Sequence, residues 1–319
     1  MNAVDRLLSG SEAWLQYCVR VNLLHEDKNK LAGLRAETLR DGRIKAYLTD
    51  ISDFHKILVG NHKNPELPIH KLLFLLDIGL DTSVPEIRTA VDEIMRHRDA
   101  DGVYQSMTNI PKHYGGMGEN VFGWCLCDGP LLLLALAKAG IPFDTHIKQG
   151  FEHLLGLSQP QGFPCAVSKE HGKFRGPGRK DDCCPYATLI MLRLMAELPQ
   201  YRDSEIARRT VDVILSLWEN SRERHPYMFY MGTDFRKLKA PAMWYDIVGV
   251  TDCLSRFDHA KRDPRFKEMI QMIKDKQDGN GMFTPEAVYQ KCSEWDFGQK
   301  KAPSPYLTFL CVRILERMK

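Results

Sequence analysis

The chain has 319 residues, of which 44% are hydrophobic and 27% are charged, and its net charge is +3. This composition is typical of a folded globular protein and excludes a disordered or fibrous chain. The small net charge does not indicate a nucleic-acid partner. We expect no membrane span, because the strongest apolar run, residues 130–140, is short and is interrupted by Lys138.

The first residues also lack the continuous apolar stretch of a secretory signal, so we expect a cytoplasmic protein. In that compartment the nine cysteines are expected to be thiols rather than disulfides. The sequence does not indicate an oligomeric state.

Taken in chain order, two kinds of predicted helix alternate. Apolar helices with little charge are predicted over residues 11–24, 68–80, 121–139, 183–197, 243–257 and 304–317. More charged, amphipathic helices are predicted over residues 28–40, 85–97, 144–157, 203–219 and 263–276. No segment alternates apolar and polar residues as a half-buried strand does. The pattern therefore predicts an all-α protein.

An internal repeat of about sixty residues organises these helices. Gly42, Gly102 and Gly162 are each 60 residues apart, and Gly281 follows 119 residues later, which is about two periods. Repeats of paired helices can stack as an open solenoid or close into a ring. Six units without a polar capping repeat favour closure. We therefore predict one domain, residues 1–319, folded as a closed α/α toroid with about six inner apolar helices and five to six outer helices.

The segment "FRGPGRKDDCC" lies directly before the fourth apolar helix. Together with the repeat from about residue 10 to the end, it resembles the terpenoid cyclase and protein prenyltransferase superfamily of α/α toroids. In prenyltransferase β-subunits such a loop binds diphosphate, and the Asp and Cys that follow it bind zinc. The resemblance implies diphosphate contacts for Arg179 and Lys180 and zinc ligands at Asp182 and Cys184. Asp246 stands where that family has its third ligand, a histidine.

In a toroid the N-terminal ends of the inner helices meet at one mouth of a central cavity. Polar and aromatic residues recur in this chain at those ends, before Leu-, Ile- and Val-rich stretches, and they are our candidate site. The residues predicted to perform the chemistry are His113, Cys127, Asp128, Asp182, Cys184, Tyr245 and Asp246. The residues predicted to contact the substrate are Tyr114, Trp124, Arg179, Lys180, Trp244 and Tyr306.

Three interpretations of this site are open. The first is a zinc site with Asp182, Cys184 and Asp246 as ligands and Cys127 as a further candidate, since zinc binds Cys, His and Asp. The alternative for the cysteines is that they are small buried hydrophobes. The second is acid–base catalysis by Asp128, Asp182 and Asp246, because an apolar cavity raises the pKa of a carboxyl group. The alternative is that each Asp is a helix N-cap.

The third interpretation is thiolate chemistry. A helix N-terminus with Arg179 and Lys180 just upstream would lower the pKa of a thiol. His113, from a glycine-rich loop that also carries Tyr114, is the candidate base. The alternative for His113 is a surface position in that loop.

The leading hypothesis is an enzyme that acts on a small, hydrophobic, isoprenoid-like molecule in the toroid cavity. By resemblance the reaction would be cyclisation, isomerisation or prenyl transfer, by acid–base or zinc-assisted chemistry. One rival is a metal-dependent lyase or hydratase for an anionic substrate, to which the two basic clusters around residues 169–180 and 236–239 would be attracted. The other is a non-catalytic toroid that binds a lipid or a protein.

Overall fold

The computed structural model describes residues 2–174, 182–223 and 234–319, and the prediction of an all-α protein is confirmed. The apolar helices are α2 (Ala13–Asn22), α5 (Pro68–Asp77), α7 (Gly129–Lys138), α9 (Pro185–Glu197), α11 (Ile247–Leu254) and α14 (Pro305–Glu316). The predicted charged helices are α3 (Ala32–Thr38), α6 (Pro85–Arg96), α8 (Lys148–Leu155), α10 (Glu205–Glu219) and α13 (Pro264–Lys274). Three helices were not predicted: α1 (Ala3–Gly10), α4 (Gly42–Ile51) and α12 (Asp258–Arg262).

The expectation that no strand forms is wrong at one place. Residues Ser106–Thr108 and Val121–Gly123 form β1 and β2, an antiparallel pair in which Met107 lies opposite Phe122. The helix predicted over residues 121–139 consequently begins only at Gly129. The physical reason is Pro130, which a helix tolerates in its first turn but not in its interior.

The sixty-residue repeat is visible in the backbone. Gly102, Gly162 and Gly281 all have left-handed φ values, of 84°, 113° and 80°. Gly162 has little room for a side chain, since a Cβ there would lie 2.8 Å from Thr188 Oγ1. Gly42 differs from these three glycines, because Asp41 caps α4 and Gly42 is the first residue of that helix.

Two units of the repeat carry the same hydrogen-bonded clamp between the turn and the next apolar helix. Phe163 N–H donates to Thr188 Oγ1 at 3.0 Å, and Phe283 N–H donates to Thr308 Oγ1 at 3.0 Å, each across 25 residues. In both units a residue just before the helix donates its N–H back to the phenylalanine carbonyl, Cys184 at 2.7 Å in the first. The clamp ties the start of an apolar helix to the preceding turn.

The apolar helices pack side by side. Helix α5 contacts α7, α7 contacts α9, α9 contacts α11, α11 contacts α14, and α14 contacts α2. The charged helices pack against these apolar helices: α3 contacts α2, α8 contacts α7, α10 contacts α9 and α13 contacts α11. Nearly every residue of α5 and α9 and most residues of α14 are buried, as expected for helices that are apolar on most faces.

Ion pairs join the C-terminal ends of the apolar helices. Lys138 Nζ, at the end of α7, lies 2.7 Å from Asp77 Oδ1 of α5 and 3.0 Å from Glu197 Oε1 of α9. Glu197 in turn accepts a hydrogen bond from Arg256, which follows α11, at 2.9 Å. Burial raises the pKa of Glu197, but the bond from Arg256 and the charge of Lys138 outweigh burial and hold that pKa well below its usual range.

A second part of this network lies between α11 and α14. Asp252 Oδ1 is 2.8 Å from Arg313 and 3.0 Å from Arg317. Burial opposes the ionisation of Asp252, yet the charges of the two arginines lower its pKa to about 2. Since the C-terminal ends of α5, α7, α9, α11 and α14 converge here, their N-terminal ends point to the opposite side of the molecule.

In the described ranges, no helix has the combination of length and apolarity that crossing a lipid bilayer requires.

The clamp gives a first prediction. In Thr188→Val the shape of the side chain is kept, but Phe163 N–H loses its acceptor inside the core. We expect a loss of about 1–3 kcal/mol in the free energy of unfolding, measured by urea denaturation. Thr308→Val should cost a similar amount, because its clamp has the same geometry. Thr89→Val, on the exposed face of α6, is the control and should change stability by less than about 0.5 kcal/mol.

Candidate active site

Three of the six apolar helices, α9, α11 and α14, begin with a side-chain cap. Cys184 Sγ accepts from Ala187 N–H at 3.4 Å at the start of α9, and Asp246 Oδ1 accepts from Gly249 N–H at 2.9 Å at the start of α11. Ser304 Oγ accepts from Leu307 N–H at 3.1 Å at the start of α14. The capping interpretation of Asp246 therefore holds for one of its two carboxyl oxygens.

The second oxygen of Asp246 has no such role. Asp246 is 3% exposed, and its Oδ2 is buried with no hydrogen-bond partner among the described residues. Burial raises the pKa of this carboxyl to about 7, against smaller lowering effects of the Gly249 N–H, Lys239 and Arg193. Asp246 is therefore largely protonated at slightly acidic pH and able to donate a proton near neutrality.

Aromatic side chains lie near this carboxyl group. Tyr186 stacks on Trp244 with 4.1 Å between ring centroids, and Trp244 contacts Tyr245 at 4.7 Å. Tyr289 lies close enough that the charge of Asp246, after burial, raises the pKa of its hydroxyl. We name Tyr186, Trp244, Asp246 and Tyr289 the Asp246 cluster.

Each member of the Asp246 cluster has a buried polar atom without a partner in the described part of the chain. These atoms are Tyr186 OH, Trp244 Nε1, Asp246 Oδ2 and Tyr289 OH. Buried polar groups are nearly always hydrogen-bonded in folded proteins, and an unsatisfied group costs roughly 1–3 kcal/mol. Four such atoms in one cluster need a structural explanation, and a bound polar atom is the simplest one.

A thiol, an imidazole and a carboxylate lie beside this cluster. Cys127 Sγ is 3.2 Å from His62 Nε2, and the same nitrogen is 3.4 Å from Asp128 Oδ2. Asp128 Oδ1 accepts from Cys125 N–H at 2.7 Å. The His62 ring is 6.4 Å from the ring of Tyr186, which joins this group to the Asp246 cluster.

The thiols of this region are protonated rather than activated. A hydrogen bond with Cys125, and then burial, raise the pKa of Cys127 well above its usual value. A hydrogen bond with Cys165, and then burial, raise the pKa of Cys184. The predicted lowering of a thiol pKa at the start of α9 is therefore wrong for Cys184, because burial and a neighbouring thiol decide its protonation.

The zinc ligands suggested by the sequence are not brought together. Asp182 is half-buried, and its charge raises the pKa of Cys183, second to burial. The ligand atoms of Asp182, Cys184 and Asp246 do not lie within 4.8 Å of one another; among the described residues, only a different group satisfies that criterion. Arg179 and Lys180 lie outside the described residues.

Four other predicted residues lie away from the Asp246 cluster: Trp124, His113, Tyr114 and Tyr306. Trp124 donates its Nε1–H to Asp99 Oδ2 at 2.7 Å, so this indole N–H already has a hydrogen-bond partner. His113 and Tyr114 are exposed, and their rings contact each other at 4.1 Å. They are surface residues, as the alternative interpretation holds.

Tyr306 belongs to a separate aromatic core. Its ring lies 5.3 Å from that of Phe74, 5.6 Å from Trp14 and 5.1 Å from Phe297. It packs α14 against α2 and α5.

Three residues of the site were not predicted: His62, Tyr186 and Tyr289. His62 and Tyr289 lie in polar loops, and Tyr186 is the second residue of α9 in a segment that we assigned to the core. His62 has a usable signal, since it precedes apolar helix α5 by a few residues, as Asp128 precedes α7. His70 Nε2–H fixes its position by donating to the His62 carbonyl at 2.8 Å.

The comparisons with known proteins add little to this geometry. No family model matches the chain, and no curated protein matches it. A solved structure described as a protein from Actinoplanes aligns with 96% of this chain and 89% of its own length. Its sequence identity is 13% and its TM-score is 0.43, values too low to support a conclusion about fold or function.

Proposed function

We propose that the chain is an acid–base enzyme that acts on a small, mostly apolar molecule at the Asp246 cluster. The observation that carries the proposal is the buried carboxyl group of Asp246, with a pKa of about 7 and an unpartnered oxygen among aromatic rings. A carboxylic acid kept neutral near pH 7 is a suitable general acid.

The proposed scaffold is the closed α/α toroid. It is supported by the unbroken series of contacts from α5 to α14 and α2, together with the 5.9 Å contact between the rings of Trp14 on α2 and Phe74 on α5. In such a ring the Asp246 cluster would lie at the mouth formed by the N-terminal ends of the inner helices. The contacts of the apolar helices along the whole chain agree with the proposed single domain.

The surroundings of Asp246 favour a reaction with cationic character. Trp244, Tyr186 and Tyr245 supply aromatic rings, whose π-systems attract positive charge. Lys63 Nζ lies 4.7 Å from the centre of the Trp244 ring, so this face already accepts a cation. Protonation of an alkene by Asp246 would produce a carbocation next to these rings. Cyclisation and isomerisation of isoprenoid-like substrates, the reactions implied by the family resemblance, can begin with this step.

The acid–base form of the hypothesis has more geometric support than the zinc-assisted form. Prenyl transfer of the zinc-dependent kind would need the ligand atoms of Asp182, Cys184 and Asp246 to converge, and these atoms lie apart. A lyase or hydratase that uses a metal at these same residues lacks support for the same reason.

His62 and Asp128 are proposed to return the proton. The side chain of His62 is 22% exposed and lies near both Cys127 and Tyr186, so it connects the cluster with solvent. Cys127 is proposed as a neutral, polarisable wall residue. We also propose a cytoplasmic location, because the cysteines form no disulfide within the described residues.

Activity is tested with purified protein and a panel of linear isoprenoid alcohols and diphosphates, with products identified by mass spectrometry. We expect Asp246→Asn to lower the rate of conversion by about 100-fold or more, since Asn keeps the cap but cannot donate the proton. Asp263→Asn is the matched control, because Asp263 also caps a helix, α13, but lies away from the cluster.

Full activity of Asp246→Asn would refute the assignment. A copurifying apolar ligand without any conversion would instead favour the non-catalytic toroid.

The pH dependence of stability gives a separate test. The folded-state pKa of Asp246, about 7, lies above its ordinary value of 3.8. The unfolded chain therefore releases this proton first, and the contribution of Asp246 to the free energy of unfolding falls as the pH rises from about 4 to about 7. At about 1.4 kcal/mol for each pKa unit, the loss is of the order of 4 kcal/mol.

Urea denaturation across this pH range measures the effect. The Asp246→Asn variant should lack this pH-dependent loss. Its free energy of unfolding at pH 8 should exceed that of the wild type by a few kcal/mol. Asp263→Asn should follow the wild-type slope, because Arg265 lowers the pKa of Asp263 and its titration is complete below this range. Parallel curves for wild type and Asp246→Asn would show that Asp246 is ionised in the folded protein.

The protonation of Cys127 is tested by alkylation with iodoacetamide, read by peptide mass spectrometry. Because its pKa is raised, we expect slow modification at neutral pH that accelerates only above about pH 9. The control is Cys127→Ser, which identifies the peptide signal. A fast, pH-independent reaction below pH 7 would mean that Cys127 and His62 form a thiolate–imidazolium pair, contrary to this assignment.

A further inference from the structure

A second group of side chains lies outside the Asp246 cluster, where α6 ends next to the turn that follows α4. It consists of His55 in that turn, Glu93 in the last part of α6, and His97 at the C-terminal cap of α6. One ligand atom from each residue lies within 4.8 Å of the other two. Of the described residues, these are the ones that form such a group.

The distances within the group fit a metal site. His97 Nε2 lies 3.4 Å from Glu93 Oε1. For zinc, with bonds of about 2.1 Å, tetrahedral geometry separates two ligand atoms by roughly 3.4 Å. Glu93 and His97 are four residues apart and therefore lie on the same face of the helix end.

His55 provides the independent observation. Its Nε2 is buried and has no hydrogen-bond partner in the described part of the chain. The same ring interacts with the backbone of Glu93, on the other side of the group. An imidazole held in this way, with one nitrogen left without a partner, is the usual arrangement of a metal-binding histidine.

Phe122 of β2 orients both imidazoles. The His97 ring stacks on Phe122 at 3.6 Å with an angle of 7° between the planes, and the His55 ring meets Phe122 edge-on at 4.9 Å. The two histidine rings are 4.8 Å apart. Ligands held by packing lose less freedom on binding than flexible ones do.

Solvent can reach the group, because the side chains of Glu93 and His97 are 27% and 28% exposed. The competing partner of Glu93 is Arg96, which is 71% exposed and forms a weak surface ion pair. An incoming cation can displace it at little cost.

We propose that His55, Glu93 and His97 bind one divalent transition-metal ion of the zinc class, with water in the remaining coordination position. Two imidazoles and one carboxylate match the ligand preference of such ions over calcium or magnesium. The bound ion joins the turn after α4 to the end of α6 beside the small sheet. The residues of this metal site lie on elements other than those of the Asp246 cluster, so each proposal can be tested independently of the other.

The test uses untagged, EDTA-treated wild-type protein titrated with Zn²⁺ by calorimetry and by competition with a chromogenic chelator. We expect binding of one equivalent, weakened at least tenfold in His97→Ala, His55→Ala and Glu93→Gln. His113→Ala is the control, because His113 is an exposed histidine outside the group. Bound zinc should also raise the melting temperature of the wild type, and to a smaller extent or not at all that of the ligand variants.

Co²⁺ distinguishes this group from the cysteines around Cys127. A nitrogen–oxygen site gives visible d–d absorption without the near-ultraviolet charge-transfer band of a thiolate ligand. Stoichiometric binding that persists in the three variants, a thiolate band alone, or no binding would each overturn the proposal. Far-ultraviolet circular dichroism in EDTA checks folding, and His55→Gln and His97→Gln replace any alanine variant that does not fold.

Discussion

The arrangement of the apolar helices depends on the ion pairs at their C-terminal ends. Lys138 lies between Asp77 and Glu197, and Asp252 lies between Arg313 and Arg317. Partly buried pairs of this kind are poorly screened by salt, and loss of one member leaves an uncompensated charge. Neighbouring apolar helices could otherwise slide along one another. The ion pairs fix the positions of the helices along their axes. They thereby also fix the positions of the caps at the opposite helix ends.

Basic residues at helix C-termini also offset the negative ends of the helix dipoles. An open, charged cavity of about 660 Å³ lies at the C-terminal ends of the apolar helices. Its lining includes Lys138, Glu197, Arg256 and Arg317. The opposite helix ends carry the nearly neutral, aromatic Asp246 cluster. The two ends of the apolar helix layer therefore differ in polarity, which supports the proposal of an apolar substrate at the end near Asp246.

Much of the fold could be predicted, because apolar and amphipathic helices have distinct residue periodicities. Helix α4 is not predicted, because Gly42 is assigned to the glycine repeat, whereas Asp41 caps a helix that starts at Gly42. Of the candidate site, Asp246, Asp128, Cys127 and Trp244 were predicted from their place before apolar helices. His62 and Tyr289 were not, because tertiary packing alone brings these loops to the cluster. Protonation of the thiols also depends on burial, which local sequence does not reveal.

The caps before α9, α11 and α14 have a consequence for how this scaffold tolerates change. A thiol at 184, a carboxyl at 246 and a hydroxyl at 304 perform the same backbone task, that of accepting one amide hydrogen. Each of these three groups is compatible with the helix start. The chemical nature of each cap can thus vary without disturbing the helices, so new reactivity can arise at this rim by single substitutions.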